Sequence, residues 1–304
     1  MPTLAISIGV TVMPVGWAGA VGVIIALLSG FAVLLSGRRA IRQTTLVAAW
    51  WWTLLALIAW SGVELAAALW GEGSGEGLLG PLRWAAMTLS SCPIVAVLGA
   101  KRPQQKAWNF VVLSLWAIVA LPAAENFFLH RGQKLEMGDA RGWFLWILIL
   151  LGPINFIPTR HWLVSLVLAA GQVGAFSSHL ALLRRPMVPQ PELVGLLLAG
   201  AALVVAWLSS RRATVAANSY DRLWIDFRDT FGLLWGLRVQ ERVNAAARQN
   251  GWDLELTWSG FRQRVSDDPL AEIDPAIESV LRTTFRGLLR RFVSSEWIAE
   301  RLCR

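Results

Sequence analysis

Seven long apolar runs constrain this chain more than any other feature of its sequence. A run of about 20 residues is long enough for one helix to cross the hydrocarbon core of a membrane. Inside lipid every backbone N–H and C=O group must be paired within its own segment, so each run is expected to be helical. The runs cover residues 16–37, 44–70, 78–100, 107–129, 143–157, 162–183 and 193–208. The sequence therefore predicts a mainly α fold with a seven-transmembrane-helix bundle in residues 1–210.

Basic residues beside the runs predict how the bundle is oriented. With seven crossings, the loops after runs one, three, five and seven lie on the same side as the C-terminus. Those loops hold nine Lys and Arg residues, and the loops on the other side hold six. Because cytoplasmic loops carry the excess of positive charge, the N-terminus is expected outside and the C-terminus in the cytoplasm. The chain has 25 Arg against 3 Lys, which is typical of a GC-rich bacterial genome. We therefore predict a multi-pass protein of the bacterial cytoplasmic (inner) membrane.

The composition changes at Arg211, where the apolar runs end. Residues 211–304 contain 15 Arg and 13 acidic residues, which is typical of a water-exposed segment. Residues 252–258 alternate apolar and polar side chains, a strand pattern for which residues 261–265 are a candidate partner. Helices are expected near 274–292, where Asp274 precedes Pro275, and near 295–302, where Ser295 is the predicted cap. The segment is predicted to form a small helical or α+β cytosolic module.

The first helix of this module, expected near 219–249, carries an aromatic face. Seven side chains fall within about 120° of one another on a helical projection. They are Tyr220, Leu223, Trp224, Phe227, Phe231, Leu234 and Trp235. Opposite them lie three Asp and two Arg, whereas a membrane-surface helix usually presents an excess of basic residues there. The aromatic face is therefore expected to pack against protein: the rest of the module, the cytoplasmic mouth of the bundle, or a partner.

Two further patterns concern how the module is connected and charged. Residues 201–231 contain neither Gly nor Pro, so the seventh span is expected to continue as one helix into the module, with Asn218 as a restart cap if it does not. Gly232 and Gly236 then permit close packing or a bend. Arg282, Arg286, Arg290 and Arg291 form a basic ridge that is suited to phosphate contacts. A solvated face is favoured for this ridge, since the module's net charge is only +2, and no nucleic-acid partner is expected.

Ionisable residues inside membrane spans are functional candidates, because they are costly to bury unless they are paired or hydrated. Glu64 lies six residues before Trp70, about 9 Å from that end of the helix at 1.5 Å per residue. With the predicted topology, the candidate ligand-binding residues gather in the outer half of the bundle, as if around a vestibule. They are Glu64, Arg83, Glu125, Asn126 and His179.

Signatures of enzymes and cofactors are absent from the sequence. It contains no HExxH, GxSxG, P-loop or Gly-rich dinucleotide motif. The two cysteines, Cys92 and Cys303, have no neighbouring Cys or His at metal-ligand spacing, so neither a metal site nor a cofactor is expected. His130 and His179 are predicted to lie outside the hydrocarbon and are unsuited to haem ligation.

Three functional hypotheses follow from these patterns. The leading one is a non-enzymatic membrane protein that is embedded in the lipid bilayer and anchors a cytosolic module for protein interaction through the aromatic face. The alternative is a ligand-sensing or transport protein that uses the outer polar residues. A distant third is an intramembrane enzyme with Cys92 as nucleophile and His179 as base.

Overall fold

The computed structural model describes residues 17–70, 76–128, 138–183, 185–212, 216–264, 270 and 273–303. His130 lies outside these residues, as do three of the basic residues counted for the topology (Arg131, Lys134 and Arg184). The fold is mostly helical, which confirms the predicted class. The helices are α1 (Trp17–Arg42), α2 (Val47–Trp70), α3 (Glu76–Thr88), α4 (Cys92–Leu98), α5 (Gln105–Phe128), α6 (Asp139–Phe156), α7 (Trp162–Phe176), α8 (Pro191–Ser210), α9 (Ser219–Gln249), α10 (Pro275–Leu289) and α11 (Ser295–Leu302).

Five helical segments in the described part of the chain are long and apolar enough to cross a membrane. They are Ala18–Arg42, Val47–Leu69, Leu78–Leu98, Gln105–Phe128 and Pro191–Ser210. These segments indicate a membrane-embedded protein. Two of the seven predicted spans do not meet this measure: α6 is not among the five, and α7 has only 15 residues. The third span is broken by a 3₁₀ turn at Leu89–Ser91, directly before Pro93 in the first turn of α4.

The closest helix packing in the bundle joins α7 to α8. Gly171 and Gly195 face each other, so that a methyl group built on Gly195 would lie 2.8 Å from the Gly171 carbonyl oxygen and 2.7 Å from Ala175 Cβ. Small residues at such a crossing let two backbones approach, which gives van der Waals contact and excludes lipid. The same Gly195 position lies 3.2 Å from the ring of Trp60, so α2 packs against this pair.

The C-terminal module is built around α9. Asn218 caps this helix by accepting a hydrogen bond from the Asp221 amide at 2.8 Å. Strands β1 (Glu255–Leu256) and β2 (Phe261–Arg262) pair antiparallel, so the partner strand lies within the predicted segment. The Asp221 carboxylate accepts from the Phe261 amide at 2.7 Å and ties α9 to this hairpin. Helices α10 and α11 complete the module core.

Several details of the connections differ from the sequence predictions. Helix α8 ends at Ser210 and α9 begins at Ser219, so the prediction of one continuous helix from the seventh span is wrong. The side chain of Asn218 supplies the physical reason, since it caps a new helix at this point and so favours a restart over a continuous helix. The last helix is capped by Ser294 rather than Ser295, through a 3.3 Å hydrogen bond from the Trp297 amide. The predicted bend at Gly232 is present, with φ 80° and ψ −169°.

Candidate functional site

The loops after α1, α4 and α6 all contact the C-terminal module, and we call this end of the bundle the module end. The Thr45 amide donates to the Phe292 carbonyl at 2.8 Å, and the Arg102 amide donates to the Arg291 carbonyl at 2.8 Å. Trp258 Nε1 donates to the Pro158 carbonyl at 2.7 Å in the turn between α6 and α7. The opposite end, where α2 finishes and α3 begins, is called the distal end below.

A buried ion pair joins α2 to α3 in the distal half of the bundle. Arg83 Nη2 lies 3.0 Å from Glu64 Oε2. The Glu64 side chain is only 2% exposed, whereas the Arg83 side chain is 28% exposed. The structure therefore brings together two of the residues that the sequence marked as ligand-binding candidates, and one of them, Arg83, is partly exposed.

Four polar atoms without a hydrogen-bond partner belong to this ion pair and to the turn of α2 that precedes Glu64. Among the described residues, seven buried side-chain nitrogen or oxygen atoms lack a partner, and four belong to Trp60, Ser61, Glu64 and Arg83. Trp60 and Ser61 lie one turn before Glu64 on α2, and helical side chains tilt towards the N-terminus, which directs the Glu64 carboxylate over that turn. The orphan atoms are one acceptor, Glu64 Oε1, two donors, Arg83 Nε and Trp60 Nε1, and the Ser61 hydroxyl, which can donate and accept. Each such group costs about 1–3 kcal/mol when it is buried unpaired.

The charge of this cluster depends on a third helix as well. Glu192, in the first turn of α8, interacts electrostatically with Glu64 and repels its charge. Helix α8 also brings Gly195 against the Trp60 ring. Helices α2, α3 and α8 thus meet at the cluster, which we call the Glu64–Arg83 site.

The other predicted ligand-binding residues lie in separate contacts. Glu125 pairs with both terminal nitrogens of Arg141 at 3.2 Å, with both side chains more than 40% exposed. Asn126 is buried at 6% exposure beside it on α5. His179 packs edge-on against Trp84, with ring centroids 4.9 Å apart. Glu125 therefore has Arg141 as its ion-pair partner rather than sharing one cluster with Glu64 and Arg83.

Cys92, the hypothetical nucleophile, lies in the apolar core of the bundle at 2% exposure. Within the described ranges, no group of three or more His, Cys, Asp or Glu side chains is arranged to hold a metal ion.

The aromatic face of α9 is used inside the chain. Six of its seven side chains are buried at 7% exposure or less, and only Leu234 is exposed, at 42%. Phe227 packs on Phe292 with ring centroids 5.4 Å apart, and Trp224 Nε1 donates to the Thr257 carbonyl at 3.0 Å. The face therefore forms the core between α9, the hairpin and the last two helices. The buried residues are Tyr220, Leu223, Trp224, Phe227, Phe231 and Trp235.

Asn155 of α6 connects the bundle to the bend in α9. Its Nδ2 donates to the Phe231 carbonyl at 3.3 Å, and its Oδ1 accepts from the Leu234 amide at 3.1 Å. The side chain lies over Gly232, where an added Cβ would be 2.1 Å from Nδ2. One amide thus satisfies two backbone groups that the bend removes from the helical hydrogen-bond ladder. The sequence indicated the bend through Gly232, but nothing in it paired Asn155 with that glycine.

Charged residues beside this contact were also not predicted from the sequence to interact. Arg160, in the turn between α6 and α7, lies 3.7 Å from Asp226 and 3.5 Å from Asp229 on α9. The adjacent His161 is affected by the same docking: burial lowers its pKa to about 4, Arg160 acts in the same direction, and Asp229 opposes them. His161 is therefore neutral near pH 7. Charge complementarity between the turn and α9 was invisible in the sequence because it depends on two distant segments meeting.

No family model matches this chain, and neither a curated protein nor a solved structure is similar to it.

Proposed function

We propose that this chain is a seven-pass receptor of the bacterial inner membrane, which binds a small zwitterion at the Glu64–Arg83 site and transmits binding to the C-terminal module. The observation that carries the proposal is an ion pair with a buried carboxylate in which Glu64 Oε1 and Arg83 Nε have no hydrogen-bond partner, together with the unpartnered Trp60 Nε1 and Ser61 Oγ one turn earlier on α2. An apolar bundle gains nothing from such a group unless something fills its hydrogen-bonding capacity.

The orphan atoms define the chemistry of the ligand. Glu64 Oε1 accepts a donor, and a cationic ammonium is the donor that a buried carboxylate favours most. Arg83 Nε and Trp60 Nε1 require acceptors and the Ser61 hydroxyl can use one, and a carboxylate with two oxygens provides them. A molecule that carries both groups, such as an α-amino acid, satisfies all four atoms and remains neutral overall. Its access route is from the distal side, where Arg83 is partly exposed.

The path of the chain supports seven crossings. The loops after α1, α4 and α6 meet the module at one end, as alternating passes of the seven apolar segments require. Helices α6 and α7 are short for an average bilayer, and flanking residues such as Trp143 and Trp162 are suited to the interface. The excess of basic residues at the module end supports a cytoplasmic C-terminus, with the Glu64–Arg83 site in the outer half.

Two paths along the bundle connect the site to the module. Glu64 is on α2, whose preceding loop contributes the Thr45–Phe292 hydrogen bond. Arg83 is on α3, and the same span continues through the 3₁₀ turn into α4, where the Val97 carbonyl accepts from Trp235 Nε1 at 3.1 Å. A ligand that separates the ion-paired side chains would shift α2 against the third span, and both carry that shift to α9 and its neighbours.

A protein partner for the module would need a surface other than the aromatic face. Exposing that face would require opening the module core, because six of its side chains are buried within this chain. A protein partner would instead bind the remaining surface of the module, and ligand binding by the proposed receptor would alter that surface.

Thermal unfolding of the full chain in nanodiscs tests the receptor proposal, with each proteinogenic amino acid as a probe. At least one of them is expected to raise the unfolding midpoint, since ligand at 100 times its Kd stabilises by about 2.7 kcal/mol. The shift should disappear in Glu64→Gln and in Arg83→Gln. Glu125→Gln is the matched control, because it removes an exposed ion pair elsewhere at the distal end. A shift that persists in both site variants, or no shift with any probe, would refute zwitterion binding at this site.

Transport through the same site is the second candidate function. The observation that favours it is the 3₁₀ break at Leu89–Ser91 in the span that carries Arg83, because broken helices frame substrate sites in many transporters. Uptake of the stabilising amino acid into proteoliposomes would distinguish the two. Binding without uptake supports the receptor, and uptake that is lost in Glu64→Gln supports transport.

A further inference from the structure

A groove between α2 and α5 lies near the module end of the bundle, away from the Glu64–Arg83 site. Its cavity volume is about 610 Å³, within the range of small-molecule sites. Both helices line the groove with side chains at the same spacing along the helix. The lining residues are Trp51, Trp52 and Leu55 on α2, and Asn109, Phe110 and Leu113 on α5. Trp51 is 55% exposed and Phe110 is 72% exposed, although both are large aromatic residues. The groove therefore opens towards the surroundings of the bundle, which in a membrane are lipid chains.

Basic residues gather where the groove meets the module end. Lys106 lies one turn before Phe110 on α5 and shares its face, and it is exposed. Lys101 and Arg102 precede it in the loop after α4. The 2.8 Å backbone contact between Arg102 and Arg291 brings the end of the module's basic ridge to the same place. The ridge thus ends at the membrane-facing loop instead of projecting only into solvent.

These four basic residues have no ion-pair partner among the described carboxylates. Glu300 is an acidic residue of the module that contacts a loop of the bundle, but its partner there is neutral. Its carboxylate accepts a hydrogen bond from Gln43 Nε2 at 3.2 Å. An apolar groove with an uncompensated basic end matches an anionic phospholipid, which has an acyl chain and a negatively charged phosphate at its two ends.

We propose that the groove binds one anionic phospholipid, with an acyl chain between α2 and α5 and the phosphate held by Lys106, Arg102 and Arg291. The amide of Asn109, one turn inside Lys106, lies at the depth where a glycerol ester carbonyl needs a donor. The tryptophans of α2 lie at the level of the headgroup boundary, the position that indole rings favour in bilayers. Because Arg291 belongs to the module, the lipid fastens the module to the bundle at the membrane surface.

Native mass spectrometry of the full chain tests this site, with an equimolar mixture of palmitoyl-oleoyl phosphatidylglycerol and phosphatidylcholine as the probe. The wild type is expected to retain phosphatidylglycerol in preference to phosphatidylcholine. Lys106→Gln and Arg291→Gln should each lower that preference about fivefold, the effect of one basic residue near a membrane surface. Leu113→Trp fills the groove and should reduce retention of both lipids.

Arg39→Gln is the matched control, since Arg39 is an exposed basic residue at the module end of α1 and does not line the groove. It should leave the preference unchanged. Equal retention of the two lipids by the wild type, or an unchanged preference in both charge variants, would overturn the proposal. A lipid-free species of twice the monomer mass that Leu113→Trp converts to monomer would assign the groove to a second copy of the chain, which also overturns it.

Discussion

Replacing Asn155 with Ala should release the C-terminal module from the bundle at the bend of α9. The substitution removes the donor to the Phe231 carbonyl and the acceptor for the Leu234 amide. Asn155 is 1% exposed, so no solvent replaces the lost bonds while the junction stays closed. Two unsatisfied buried backbone groups cost about 1–3 kcal/mol each, which totals about 2–6 kcal/mol.

The Leu234 amide itself reports this effect by hydrogen exchange. A loss of 2 kcal/mol, the lower limit, corresponds to exchange about thirtyfold faster, since each 1.36 kcal/mol is about tenfold. The assay is hydrogen exchange with mass spectrometry on the full chain in nanodiscs, following the peptide that contains Leu234. Amides of the hairpin strand at Leu256 should keep their protection, because Asn244 on α9 holds that strand with two hydrogen bonds.

Asn250→Ala is the matched control for this prediction. It also removes an asparagine side chain from a contact with α9, but the lost bond to the Ala246 carbonyl is exposed and local. Exchange at Leu234 should therefore stay within about fivefold of wild type, since one exposed local bond contributes about 0.5–1 kcal/mol, the low end of the usual range. Equal protection of Leu234 in Asn155→Ala and in the wild type would refute the reasoning that one side-chain amide holds the bend.

Three further predictions concern the site, the turn and the helix crossing. Arg83→Gln should lower the unfolding free energy by about 3–5 kcal/mol in mixed micelles, because it leaves a buried carboxylate unpaired. Glu64→Gln should lower it by less, since the partly exposed Arg83 guanidinium can turn to the distal surface. Equal losses of unfolding free energy in the two variants would contradict this reasoning. His161 has a pKa of about 4 in the folded chain and an ordinary value of 6.5, so the unfolded chain takes up a proton first as the pH falls. Stability should therefore drop between pH 6.5 and pH 4 by up to about 3 kcal/mol, and His161→Gln should flatten that part of the pH profile of thermal unfolding. Gly195→Leu should separate α7 from α8 and lower the thermal midpoint, whereas an unchanged midpoint would show that the approach to Gly171 is not required.

Features that depend on local chemistry were readable from the sequence. Long apolar runs produce helices wherever water is excluded, because the backbone has no other way to satisfy its polar groups. The caps at Asn218 and Asp274 are likewise properties of single residues. Glu64 attracted attention for a similar reason, since a carboxylate in an apolar run is costly in any fold.

Only the tertiary structure decided which distant residues meet. The amphipathic pattern of α9 predicted a protein surface for its aromatic face. A periodicity cannot show whether that surface belongs to the same chain or to a partner. The packing of Phe227 on Phe292 shows that it belongs to the same chain. The sequence likewise marked both Glu64 and Glu125, while the fold pairs one with Arg83 and the other with Arg141. Spacing along a helix determines which side chains share a face. The partner of that face depends on how helices separated by many residues pack together, and here that packing leaves polar atoms of Trp60, Ser61, Glu64 and Arg83 without a hydrogen-bond partner.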